Sequence, residues 1–214
     1  MRLAELSERS GVSIATIKYY LRQGVLAPGR RVAATTAEYD ESHIRRLRLV
    51  RALIEVGRLP VATAKEVIGY IDDDSLDQTM RLGAALWSLP YGPEPDESDP
   101  SVIAAGQVVD HLLETLGWTT AREIGALAPA HRALVVALAT LNRLGYPWGP
   151  ELLLPYAELM YQAAILDLDI MDMYPTAAEK VETAVAGTVL VEPMLQALHR
   201  LAQEEEAARR YGLS

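Results

Sequence analysis

Residues Gly11–Tyr39, GVSIATIKYYLRQGVLAPGRRVAATTAEY, decide how the rest of the chain is read. Ser13 is placed to cap a helix by accepting a backbone N–H bond. Ile14, Ile17 and Leu21 then recur at helical spacing and predict an inward face. That phase leaves Ala15, Thr16, Lys18, Tyr19 and Arg22 around the outward side. Gly11 and Gly24 suit the left-handed residues that open and close such a helix. Small residues near the start allow close approach to base edges, and Lys18 and Arg22 are long enough to reach phosphate or guanine. After Gly24 the chain turns through Val25, Leu26 and Pro28 into a basic loop. Its Gly29 gives a turn, and Arg30 and Arg31 present two cations to a flanking phosphate or minor groove. The bland alternative is an ordinary solvated amphipathic helix followed by a solvated loop.

Working outward, a short helix over about Leu3–Arg9 precedes this stretch, with Leu3 and Leu6 inward. A longer helix follows from about Glu41 to Val56. It combines an apolar face (Ile44, Leu47, Val50, Leu53) with the densest basic cluster of the chain: Arg45, Arg46, Arg48 and Arg51. Arg45 and Arg46 are the candidates for the nucleic-acid backbone. A further helix runs over Pro60–Ile71.

The succession IKYYLRQGVL, PGRR and EYDESHIRRLRLVRALIEVG closely resembles the MerR family of transcriptional regulators over about residues 1–71. The matching features are the pair Tyr19–Tyr20 at the end of the recognition helix, the turn Gly24–Leu26, and Tyr39–Asp40 closing the wing. The resemblance implies an N-terminal winged helix-turn-helix with a small β wing. It also implies a dimer on a near-palindromic operator in double-stranded DNA, and RNA polymerase as a further partner. By that resemblance the DNA-binding set is Ser13, Ala15, Thr16, Lys18, Tyr19, Tyr20, Arg22, Arg30, Arg31, Tyr39, Arg45 and Arg46. Two departures stand out. Thr36, Ala37 and Glu38 occupy the place where many members carry an aromatic-Arg pair, which shifts the expected wing contact to Arg30 and Arg31. The long coiled-coil helix usual after the fourth helix is not evident either.

Charge supports a nucleic-acid partner locally, not globally. The whole chain carries −9, yet residues 1–65 hold twelve basic and six acidic residues, so the remainder is strongly anionic. Screening removes the influence of distant charge beyond about 10 Å, so the local sign is what a phosphate backbone feels. The absence of cysteine excludes disulfides, thiol redox sensing and thiolate metal sites. The four histidines, at 43, 111, 131 and 199, lack paired zinc spacing. Asp72, Asp73, Asp74 and Asp77 read as a repulsive, solvated hinge and not as a metal loop. No phosphate loop or nucleophile elbow is present. The expectation is therefore no metal, no cofactor and no enzyme activity.

The start has no secretory character. No run reaches the roughly 18 continuous apolar residues of a membrane span. The reading is cytoplasmic, with no membrane partner.

Residues 76–89 read as helical. PYGPEPDESDP, residues 90–100, then packs four prolines among acidic groups and predicts a stiff linker. From Ser101 onward the pattern is helical throughout, with Pro193 expected to kink or separate the last helix. The expected fold is thus mainly α: residues 1–71 a DNA-binding domain, 72–100 helix and linker, 101–214 an all-helical domain for dimerisation and effector binding. That last part loosely resembles the helical domain of the TetR family, which implies a dimer contact in residues 177–211. Trp118, Tyr146, Trp148, Tyr156, Met160 and Tyr161 are candidates to line a cavity for a small-molecule effector, with Asp169 and Asp172 beside them to pair with a cation. The competing classes are an effector-independent architectural or excisionase-like DNA-binding protein and a drug-sequestering protein.

Overall fold

The computed structural model describes residues 1–33 and 36–212. Two short helices, α1 (Leu3–Ser10) and α2 (Ile14–Gln23), lead into the antiparallel strands β1 (Arg30–Ala33) and β2 (Thr36–Glu38). Arg30 pairs with Glu38 and Arg31 with Ala37, and the register slips between Arg31 and Ala33. The tip of the expected wing, Ala34 and Thr35, lies outside the described residues. Helix α3 (Glu41–Arg51) runs on into a π-helical turn, Ala52–Val56, and is followed by α4 (Val61–Ile71) and α5 (Gln78–Trp87).

Beyond the proline-rich segment come α6 (Pro100–Leu116), α7 (Thr119–Ile124) with a 3₁₀ turn, α8 (Pro129–Arg143), α9 (Pro150–Asp172) and α10 (Ala177–Tyr211). Pro129 and Pro100 occupy first-turn positions, where a missing N–H costs nothing. Pro193 does not divide the last helix as expected: α10 is one helix of 35 residues with the proline inside it. A single lost backbone bond is tolerated in a helix this long when turns on both sides continue.

The chain forms two compact units, Met1–Ser88 with Met171–Ser214, and Leu89–Ile170. The expected continuous domain over 101–214 is therefore divided. In the second unit, Val102, Ala105, Val109 and Leu113 of α6 pack with Val135, Leu138 and Ala139 of α8. In the first, Leu6, Ile17, Leu47, Leu53, Val67 and Ile71 are fully buried, and Val181 and Val185 of α10 are buried in the same unit. The inward face of α10 lies against α5, α4 and the π-helical turn.

The acidic stretch after α4 is not the repulsive hinge expected. Asp77 caps α5 by accepting from Met80 N at 2.9 Å, and Asp73 accepts from Ser75 N at 2.9 Å. Asp74 pairs at 3.1 Å with Arg81, whose side chain is buried and also donates to the carbonyl of Ile71 at 3.3 Å. Asp77 satisfies a free backbone donor at the start of α5, while Asp73 and Asp74 are held by Ser75 and Arg81, so the segment is a tied corner. Because Leu47 is fully enclosed, Leu47→Ala should cost about 2–5 kcal/mol of stability in urea unfolding.

Candidate nucleic-acid interface

The phase of α2 is set by what it buries. Ile17 and Tyr20 are inward, Leu21 is half-buried, and Ile14 is exposed at the first turn, contrary to the expected inward stripe. The outward arc is Ala15, Lys18, Tyr19 and Arg22, all exposed. Lys18 and Arg22 make no ion pair with another described residue. Ser13 caps the helix by accepting from Thr16 N at 3.1 Å, and its hydroxyl lies 2.8 Å from that of Thr16. Thr16 is thereby tied into the cap. Gly24 closes the helix with φ of 76°, a conformation that disfavours any side chain. Lys65 of α4 lies against Gly24 and adds a cation at this end. The sequence reading missed it because it is a lone lysine in an apolar helix.

Two tyrosines of the expected set are not available to a ligand. Tyr20 is 4% exposed, and burial pushes its hydroxyl above the ordinary tyrosine range, with the Glu55 carboxylate adding to the shift. Tyr39 is 8% exposed, with its ring edge-on to His43 at 5.1 Å. Its backbone N–H donates to the carbonyl of Met1 at 2.9 Å, which ties the end of the wing to α1. Both therefore shape the lobe from inside. Tyr19, at 39% exposure, is the member of the pair that faces out.

The wing presents Arg31 freely, but Arg30 is paired with Glu38 across the two strands. The glutamate that stands where the MerR resemblance expects an aromatic-Arg pair thus offsets one of the wing's two cations. At the start of α3, Asp40 caps the helix, accepting from Ser42 N at 3.0 Å and lying 2.8 Å from His43 Nδ1. Hydrogen bonds from the Ser42 and His43 side chains hold its carboxyl well below the usual carboxylate range. It stays ionised and anchors the junction between wing and helix.

Arg45 and Arg46 differ from expectation. Arg45 is paired with Glu179 at 3.2 Å, and Arg46 with Glu182 at 3.0 Å and with Asp72. Both glutamates come from the first turns of α10. The Arg46 side chain is only 14% exposed, so it is a structural partner and not a free cation. Arg45 keeps an exposed half. A hollow of about 330 Å³ adjoins these pairs, lined in part by Leu26, His43, Asp72 and Thr176.

The expected effector residues do not form an enclosed group. In the second unit, Trp118 and Trp148 pack against the α6–α8 core and contact Tyr161 and Tyr156 at ring separations of 5.8 and 5.6 Å. Tyr146, Tyr156, Met160 and Tyr161 are about half exposed or more. Asp169 is exposed, and Asp172 pairs with Lys180 at 2.6 Å. These side chains stand on open surface because α9 buries little of its length. No group of three or more histidine, aspartate or glutamate side chains among the described residues is arranged to hold a metal ion.

Residues 1–70 match the family model described as the MerR helix-turn-helix family of regulatory proteins. The chain is 32% identical over 50 residues to the HTH-type transcriptional regulator ZntR homolog of Haemophilus influenzae, covering 23% of this chain and 37% of that protein. It is 36% identical over 56 residues to the nodulation protein NolA of Bradyrhizobium elkanii, covering 26% of each. The likeness to these curated relatives thus spans little more than a third of their length at most. Likeness over the whole chain is found with the crystal structure of SCO5550 from Streptomyces coelicolor A3(2), assigned as a transcriptional regulator. That protein is 64% identical, with a TM-score of 0.86, and the match covers 100% of this chain and 99% of that one. An outward basic helix, a two-stranded wing and a capped third helix, found together in the segment that carries the family match, lead to one conclusion: the chain is a DNA-binding transcriptional regulator whose residues 1–70 form a MerR-type helix-turn-helix domain.

Proposed function

We propose that this regulator binds a near-palindromic operator in double-stranded DNA as a homodimer. The observation that carries the reading is the rotation of α2. Burial of Ile17 and Tyr20 turns Lys18, Tyr19 and Arg22 out together as one unpaired polar arc. Inserted in a major groove, Arg22 reads base edges while Lys18, Tyr19 and Arg31 hold phosphates. Likeness to the MerR helix-turn-helix family supports promoter distortion, with RNA polymerase as the second partner. The distortion's cost of a few kcal/mol is offset by contacts that the distorted duplex permits. A protein that works on DNA in this way acts in the cytoplasm and needs no catalytic centre.

The second copy is placed on α10. No residue of this helix after Val185 is buried. Leu190, Met194, Leu198 and Leu201 are all exposed and recur at spacings of three and four, which forms one stripe. By length and composition α10 is apolar enough to cross a membrane. A stripe flanked by Glu204, Glu205, Arg209 and Arg210 suits an identical helix better than lipid, because those charges stay in water at the rim. Long helices draw their stability from packing of such a face.

Selection of bound fragments from random duplex, read by sequencing, tests the reading directly. Two half-sites related by a dyad are expected, and fragments without symmetry would refute the dimeric operator. Arg22→Ala should lower discrimination between operator and random DNA by about 1–3 kcal/mol, measured by competition binding. Arg31→Ala should reduce the slope of log affinity against log salt by about one per site, and Arg30→Ala by less, since Arg30 is already paired. Removal of residues 190–214 should convert the dimer to monomers in sedimentation, and a persistent dimer would move the contact elsewhere.

A further inference from the structure

Helix α10 meets the DNA-binding lobe along one of its faces, in ion pairs at its root and in an apolar contact further on. At its root, Glu182 pairs with Arg46 of α3, and the same guanidinium pairs with Asp72 at the end of α4. The two side chains of the central pair are 14% and 16% exposed, so water screens the bridge poorly. Burial raises the Glu182 carboxyl above its ordinary range, opposed chiefly by the Arg46 charge. Seven residues further on, Val189 sits over Gly57, just after the π-helical turn. A Cβ on Gly57 would lie 2.7 Å from Val189 Cγ1 and 2.8 Å from the Leu53 carbonyl oxygen, so only glycine permits this approach. Val185, between the two places, and Val181, one residue before Glu182, are fully buried.

Seven residues are two helical turns, so the anchors are about 10 Å apart along one side. A rod fixed at a single point pivots, whereas one fixed at two has a direction. The apolar anchor tolerates sliding and tilting, because dispersion contacts are non-directional. The ionic anchor does not, because a shared guanidinium between two carboxylates has a narrow geometry. Buried bridges of this kind contribute more to geometry than to net stability.

We propose that Arg46 is a positioning residue for operator recognition: by holding Glu182 and Asp72 together it fixes the direction of α10 relative to α2, and so sets the separation of half-sites that the dimer accepts. The inference rests on the dimer contact lying on α10. From Glu182 to Leu201 the helix advances about 28 Å, so a tilt of about 10° at the root displaces the far end by about 5 Å. That displacement exceeds the rise of about 3.4 Å per base pair. Moving a half-site by one base pair also rotates it by about 35° around the duplex. A loosened root therefore broadens the accepted spacing without touching the groove contacts of either half.

The test uses the full-length protein and the operator selected from random duplex. Affinity is measured for that operator, for versions with one base pair inserted or deleted at the centre, and for a duplex with a single half-site. Wild type is expected to lose about tenfold or more on either altered spacing. Arg46→Met combined with Glu182→Leu, which replaces the bridge by packed apolar groups, should discriminate by less than about threefold while single half-site affinity stays within about twofold. Glu182→Gln, nearly isosteric, should shift preference in the same direction and guards against a folding defect in the double variant. Sedimentation of each protein separates the two levels of inference. A wild-type monomer overturns the dimer reading. Variants that remain dimeric and keep the wild-type spacing preference overturn the role of Arg46. Loss of single half-site affinity would make Arg46 a DNA contact and overturn the positioning role as well.

Discussion

Burial of Ile17 and Tyr20 is the constraint from which the DNA-facing side follows. A ten-residue helix has few inward positions, and filling them fixes its rotation to within a fraction of a turn. Once those two side chains are inside, Lys18, Tyr19 and Arg22 have only solvent before them. The cap at Ser13 and the left-handed glycine at position 24 limit the helix at both ends. The length of the arc offered to a groove is therefore set by two local devices, and its direction by two apolar contacts.

A second layer of organisation comes from charge. The N-terminal lobe is cationic and the rest of the chain anionic, but the two signs are not simply segregated. Glu179 and Glu182 return from the far end of the sequence to meet Arg45 and Arg46, and Glu38 meets Arg30 within the wing. Among the described cations that make no ion pair, Lys18, Arg22 and Arg31 lie on the recognition helix and the wing, and Arg48, Arg58 and Lys65 lie elsewhere in the same lobe. Internal pairing thus leaves the recognition helix and the wing among the elements of this lobe that carry unbalanced positive charge. A phosphate lattice attracts that charge most strongly where no carboxylate competes nearby.

Much of this was legible in the residues. The cap at Ser13, the end at Gly24, the outward place of Lys18, Tyr19 and Arg22, and a mainly α architecture with a small β wing are local properties. Propensity, spacing and turn chemistry report such properties directly. Tyr20 and Tyr39 were not legible as core residues, because a tyrosine has an apolar ring and a polar tip and suits the pattern whether its ring points in or out. The acidic run at 72–77 resembled a solvated hinge because the sequence does not show that Arg46 and Arg81 approach it from elsewhere. The aromatic residues of the C-terminal half suggested a cavity, because composition alone does not distinguish a lined pocket from an uncovered helix face.

The amino-acid sequence by itself determined the helices, their limits and the basic character of the first third of the chain, because these depend on neighbours within a few residues. Only the tertiary structure decided that α10 belongs with the DNA-binding lobe, that Arg46 is held between Glu182 and Asp72, and that Val189 rests on Gly57. The contacts of Glu182 with Arg46 and of Val189 with Gly57 join residues more than a hundred positions apart. Their existence depends on the path of the backbone through space, which no local pattern encodes.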